Sequence, residues 1–192
     1  MKPPVPYRIA IAPLGDFDPQ LPEAVIREIH RVFGLHAEVK TVPMSLGFAY
    51  DAGRQQYHST PILQKLAEES PEDLLRVLAL VEVDLFIPIL TYVYGEAQIG
   101  GRACIVSTCR LNAGSGARYL PEKTAWRIVK ESLHELGHTF NLRHCPDPVC
   151  LMHYCRGEAD VDRKSGDLCR YCRVMLDDEL RRMAKAKRGE SI

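Results

Sequence analysis

The sequence predicts a mixed α/β fold with a small cysteine-rich subdomain at its C-terminal end, and three observations carry that prediction. Short apolar runs bounded by Gly, Pro and Asp alternate with helix-period segments along the first part of the chain, the pattern of strand–helix–strand units. Residues 121–140 repeat apolar side chains at helical spacing and run into a histidine-rich stretch. After His144 the composition changes abruptly to cysteine, proline and charge.

At 192 residues the chain fits one domain, or one domain with a small appendage. Its 25 basic and 25 acidic residues cancel, so no global pull toward nucleic acid or a membrane surface is expected. The start, Met1-Lys2-Pro3-Pro4-Val5-Pro6, does not read as a signal peptide, and no stretch is apolar for long enough to span a bilayer. The expectation is a cytoplasmic monomer acting on small neutral or peptide-like partners, with no nucleic acid and no membrane involved. In a reducing cytosol its seven cysteines read as thiols or metal ligands rather than disulfides.

Residues 7–14 form a first strand, closed by the turn Gly15-Asp16-Phe17-Asp18-Pro19. Pro22 opens a helix to about Phe33, with Val25, Ile29 and Val32 on one face and Gly34 just past its end. Residues 36–42 alternate as a second strand, and strand, helix, strand implies a right-handed crossover and a parallel pair. Residues 49–60 are polar and define no element. Ser59 or Thr60 then caps a helix beginning at Pro61, and residues 73–81 continue as a second apolar helix; both should cover the sheet.

Residues 83–91 read as the most buried strand, although Pro88 removes a ladder donor and argues for a bulge or an edge. Tyr94, Gly95, Glu96, Ala97, Gln98 and Ile99 follow, then Gly100-Gly101 and a further strand over residues 102–110. If the short segment is an exposed edge, an extended peptide can add to it by strand pairing; a surface hairpin without a ligand is the alternative. Residues 112–116 form a loop. Pro121 to Lys123 start the long helix, which Trp126, Val129, Leu133, Gly137 and Phe140 should pack against the sheet. From Asp177 a charged helix leads to an end that frays over residues 185–192.

On the long helix His134 and His138 stand one above the other, and two imidazoles so placed grip one divalent ion. Glu135 sits about 100° round the helix, placed to touch a water on the metal as a general base. Asn141 readily accepts the left-handed conformation that ends a helix, which lets His144 swing under the metal. Three imidazoles and one open position describe a catalytic zinc.

Cys145, Cys150, Cys169 and Cys172 form two pairs with metal-ligand spacing, and four thiolates with no open position describe a structural zinc. Two Zn²⁺ per chain are therefore expected, the second holding His144 in place through the adjoining Cys145. A redox role for Cys169-Arg170-Tyr171-Cys172 is the competing reading, opposed by the lack of a thioredoxin-like strand before it. Cys104 and Cys109 read as buried small hydrophobes in a strand, and Cys155 as a possible competing ligand.

Taken together, the histidine helix, the third histidine, the cysteine directly after it, Cys150-Leu151-Met152 and the later Cys-x-x-Cys resemble the archaemetzincins, a branch of the metzincin zinc peptidases. The matching stretch covers residues 134–172, and the upstream order of strands and helices is similar to a metzincin N-terminal subdomain. One departure is Asn141, where the family pattern has Gly. The resemblance implies a metzincin-like twisted mixed sheet with an active-site helix and a cleft above the metal. Residues 1–144 would be the N-terminal subdomain and 145–192 the C-terminal one. It implies a methionine turn at Met152, which in isolation reads as core filler. Met152-His153-Tyr154 also resembles the methionine turn of the astacins, which implies Tyr154 as a transition-state donor; a merely packed tyrosine is the alternative.

The activity implied is hydrolysis of peptide or protein substrates, Glu135 taking the proton from a zinc-activated water and passing it to the leaving amine. No prosegment enforcing latency is visible, so narrow specificity is expected. A zinc-ribbon interaction module without turnover, in which the four cysteines matter and the helix is vestigial, is the competing class.

Overall fold

The computed structural model describes residues 8–111 and 121–188. β1 (Arg8–Leu14) leads through α1 (Gln20–Phe33) to β2 (His36–Val39), and the two strands are parallel, with Ile9 opposite Ala37 and Ile11 opposite Val39. Gly34, at φ 67°, ends α1 by returning its N–H to His30 O, a conformation that costs glycine no Cβ clash. After a 3₁₀ turn (Gly47–Ala49), β3 (Tyr50–Asp51) and β4 (Gln56–His58) form a hairpin, and α2 (Ser59–Glu69) comes directly after it.

The expected second helix over residues 73–81 is instead a strand, β5 (Arg76–Val81), all six residues of which are buried. It lies at the centre of the sheet, parallel to β1 on one side and to β8 (Ala103–Ser107) on the other. A strand covered on both faces carries no polar alternation, so Val77-Leu78-Ala79-Leu80-Val81 offers no period by which to tell it from a buried helix. The expected strand over residues 83–91 shrinks to β6 (Leu85–Phe86), which pairs with β4. Beyond it Ile89 is 86% exposed, since Pro88 cannot continue the ladder. β7 (Gly95–Ala97) pairs antiparallel with β8 and forms the sheet margin, giving the order β2-β1-β5-β8-β7.

Period-2 alternation sends successive side chains to opposite layers. Ile9, Ile11, Leu78, Leu80, Cys104 and Val106 face α1 and α3 (Glu122–Thr139), whereas Ala10, Ala12, Val77, Ala79 and Ile105 face Ile62, Leu63 and Leu66 of α2. The first layer also takes in Leu151, Met152, Val161 of α4 (Glu158–Arg163) and Leu176 of α5 (Arg170–Arg188). The residues after His144 thus share the core that anchors α3. Each fully buried Leu or Ile there contributes roughly 1.5–3 kcal/mol, enough in sum to hold α3 rigid against the sheet.

Four smaller expectations are corrected. Ser59 and Thr60 do not cap α2, whose N-cap is His58; their hydroxyls donate to Glu96 instead. Trp126 is 41% exposed, off the buried stripe that Val129, Leu133 and Phe140 form, and its ring covers Gly166. Cys109 lies past the end of β8 and is exposed, while Cys104 is buried as expected. α5 begins at Arg170 rather than at Asp177 and stays helical through Arg188; residues 189–192, like the loop expected over residues 112–116, lie outside the described residues.

Candidate metal centre and catalytic cleft

α3 presents His134 and His138 one turn apart, their ring centroids 4.7 Å from each other. At the helix end Asn141 adopts φ 63°, the left-handed conformation the sequence predicts for it. That turn has two effects. Leu142 O comes back to within 2.7 Å of His138 Nδ1, and His144 reaches under the helix, its ring centroid 5.3 Å from that of His134 and 4.9 Å from that of His138. The carbonyls freed at the helix end are satisfied by Gly100 N–H, 3.0 Å from His138 O, and by the buried guanidinium of Arg76 on Thr139 O. Neither partner has a sequence signal, Arg76 lying inside the stretch expected to be a second apolar helix.

The ligand-capable nitrogens of the three histidines lie within 4.8 Å of one another. His134 Nδ1 is 2.9 Å from Leu151 O, and a carbonyl oxygen only accepts, so both Nδ1 atoms of the pair carry the proton. Both Nε2 atoms, 3.2 Å apart, are then acceptors with no hydrogen between them, a crowding that a shared cation relieves. Burial is the main force pushing His134 well below the ordinary imidazole range, with Lys164 and His138 adding to it; burial likewise lowers His138 to about 4. Neutral imidazole is the ligating form, so the donor set fits zinc.

Glu135 is buried on the wall of a cleft of about 500 Å³. It lies so close to β7 that a Cβ on Gly95 would sit 2.7 Å from Glu135 Cγ and 2.6 Å from Ile105 O. Its carboxyl is raised well above the ordinary range, by burial first and by Glu131 and Glu96, with Lys164 opposing them. Tyr94, Gly95, Glu96, Ala97 and Ile99 line the same cleft, and Gln98 turns back to cap the β7–β8 hairpin. Tyr154 also lines it, its ring 5.1 Å from that of His144. Met152 is fully buried and packs on α3, where a Cβ on Gly137 would lie 2.5 Å from its sulfur.

Cys145, Cys150, Cys169 and Cys172 bring their sulfurs within 4.8 Å of one another, whereas Cys155 stands apart on the cleft wall. Cys145 Sγ is 3.8 Å from Cys169 Sγ, and Cys169 N–H points at Cys150 Sγ from 3.3 Å. A hydrogen bond from the Cys172 backbone lowers Cys169, while burial raises Cys150 and Cys172. Thiols crowded in this way become thiolates together only around a cation, and the four fit tetrahedral zinc. Cys145 also joins the two clusters through the backbone, its N–H donating to Met152 O at 2.8 Å while its carbonyl accepts from His153 Nδ1.

The model of peptidase family M54 matches residues 41–178. An archaemetzincin from Methanopyrus kandleri is 42% identical over 134 residues, covering 70% of this chain and 73% of that protein. The crystal structure of archaemetzincin from that organism superimposes with a TM-score of 0.81 at 31% identity, covering 94% of this chain and 99% of that one. A zinc-dependent peptidase from Methanocorpusculum labreanum does so at 0.77 and 28% identity, over 88% and 99% of the two chains. A match of that length, joined to a histidine triad and an adjacent buried carboxylate, identifies the chain as a member of peptidase family M54, the archaemetzincins, and as a zinc metallopeptidase.

Proposed function

We propose that this chain hydrolyses peptide bonds with His134, His138 and His144 as ligands of one zinc and Glu135 as general base. The observation that carries the reading is the placement of Glu135, buried on the cleft wall immediately beside His134 and against β7. A zinc held by the three imidazoles would supply Lewis acidity toward the attacking water and the peptide carbonyl. Glu135 accepts the proton and returns it to the leaving amine, its buried setting favouring the protonated form it must reach midway. Tyr154 donates to the developing oxyanion.

The substrate lies along β7. Tyr94 O and Gln98 N bond inward to β8, so antiparallel alternation directs the N–H and C=O of Gly95 and Ala97 outward, where an extended peptide adds as a strand. Cys145, Cys150, Cys169 and Cys172 hold a second, structural zinc, which organises residues 145–192 as a subdomain completing the one formed by residues 1–144. The enzyme acts on a narrow set of peptides or proteins, as a monomer in the cytoplasm, and binds no nucleic acid. The cancelling formal charge and the seven free cysteines support that setting. Among the described residues no helix is long and apolar enough to cross a membrane.

Glu135→Gln keeps the size of the side chain and removes the base. Turnover of a peptide substrate should vanish while zinc content, measured by elemental analysis, stays at the wild-type level; undiminished turnover refutes the assignment.

A further inference from the structure

Buried beside the cleft is an ion pair that the proposed mechanism does not use. Lys164 Nζ lies 2.7 Å from Glu131 Oε1, and the side chains are 0% and 4% exposed. The contact is one of charge rather than of aligned hydrogen bonding, because among the described residues neither atom has a hydrogen-bond partner. The residue preceding Glu131 grips the same lysine from behind: Lys130 Nζ donates to Lys164 O at 3.0 Å and also to Val161 O. Two consecutive residues of α3 thus hold the side chain and the main chain of Lys164.

Beyond Lys164 the chain leads back to the metal centre. Ser165 N–H donates to Val149 O at 2.9 Å, and Leu151 N–H to Asp167 O at 2.8 Å, so residues 165–167 act as a strap across residues 149–151. Leu151 O is the acceptor that fixes the ring of His134. The path closes on itself, leaving α3 at Lys130 and Glu131 and returning to α3 one turn later at His134. Elsewhere the strap touches the fold through Arg31 of α1, which bonds Gly166 O and Asp167, and through Trp126 over Gly166.

We infer that Lys164 is a positioning residue for the catalytic metal site, its pairing with Glu131 setting the strap that aims Leu151 O at His134. The inference rests on the assignment of His134 as a ligand. Outer hydrogen-bond partners of ligating histidines fix ring orientation and tautomer, and their loss lowers metal affinity by about 10–100-fold. A merely structural pair behaves otherwise, because a buried ion pair replaced by apolar groups of similar size usually leaves stability intact or improved.

The test compares wild type, Lys164→Met and the double variant Glu131→Met with Lys164→Met. Lys164→Met leaves Glu131 as an uncompensated buried charge and loses stability; the double variant removes both charges and folds. Cobalt(II) serves as the probe, because its visible absorption reports the geometry of the three-histidine site while sulfur-to-metal charge transfer reports the four-cysteine site separately. The expected result is a folded double variant in which cobalt at the histidines binds about 10–100-fold more weakly with an altered visible spectrum, the sulfur band being retained. Wild-type affinity and spectrum in the double variant would overturn the inference. Failure of the wild type to take up cobalt at the histidines would instead remove the assignment on which it rests.

Discussion

Gly95→Ala puts one methyl group where the edge strand meets Glu135, the proposed base. The added Cβ would lie 2.7 Å from Glu135 Cγ and 2.6 Å from Ile105 O. Carbon atoms rest at about 3.5–4.0 Å, so roughly 1 Å of displacement is required. β8 cannot supply it, since it is paired on both sides, with β5 and β7. Either β7 moves outward or the Glu135 carboxylate is pushed off its line. Misplacement by about 1 Å costs on the order of 100-fold in rate, and overpacking costs about 1–3 kcal/mol of stability. Steady-state kinetics on a fluorogenic peptide should therefore show kcat/KM down about 100-fold with zinc content unchanged. Gly47→Ala, whose Cβ meets only Ser45 Oγ at 3.8 Å, is the control and should be near neutral. A Gly95→Ala enzyme within twofold of wild type, roughly 0.4 kcal/mol, would refute the close packing of β7 on Glu135.

The same geometry yields two further outcomes. A folded Cys169→Ser, Cys172→Ser variant should bind one zinc fewer and also lose activity, because Cys145 adjoins His144 and its backbone holds Met152 and His153; full activity would break the proposed coupling of the two centres. Hydrogen bonds from Arg127 hold the Asp162 carboxyl below its ordinary 3.8. A carboxyl lowered by folding stabilises the native state above its ordinary pKa and ceases to do so as pH falls through and below that value. Asp162→Asn should flatten the acid limb of stability measured by denaturant titration below about pH 4, and an unchanged limb would contradict the pairing.

Of the metal centre, the parts written as local spacing are legible in the sequence. His134 and His138 come from helical period, and Asn141 takes the positive φ that returns Leu142 O to His138 and His144 to the cluster. The four cysteines declare themselves by type and interval. The illegible parts depend on contacts across the fold. Glu131 and Lys164 lie far apart in the chain with no pattern linking them, and a lone lysine after a short helix reads as surface. Gly95 reads as one residue of a short edge segment, and nothing in the sequence marks the carboxylate packed on it. β5 escapes sequence reading for a general reason: burial on both faces erases the alternation that marks a strand. Pro88, by contrast, warns correctly that the apolar run 83–91 is not a central strand.

Among the described residues β7 forms the margin of the sheet, which also bears on self-association. An open strand edge accepts any extended backbone, including that of another copy of the same chain, and such edges template aggregation. This one is three residues long, too short for an extended ladder. Two copies pairing antiparallel about its middle residue would set Glu96 against Glu96, and like charges directly opposite are destabilising. Ser59 and Thr60 tether each carboxylate, so neither swings aside freely to relieve the clash. The carboxylate at the middle of the proposed substrate edge would therefore also disfavour pairing of two copies of the chain.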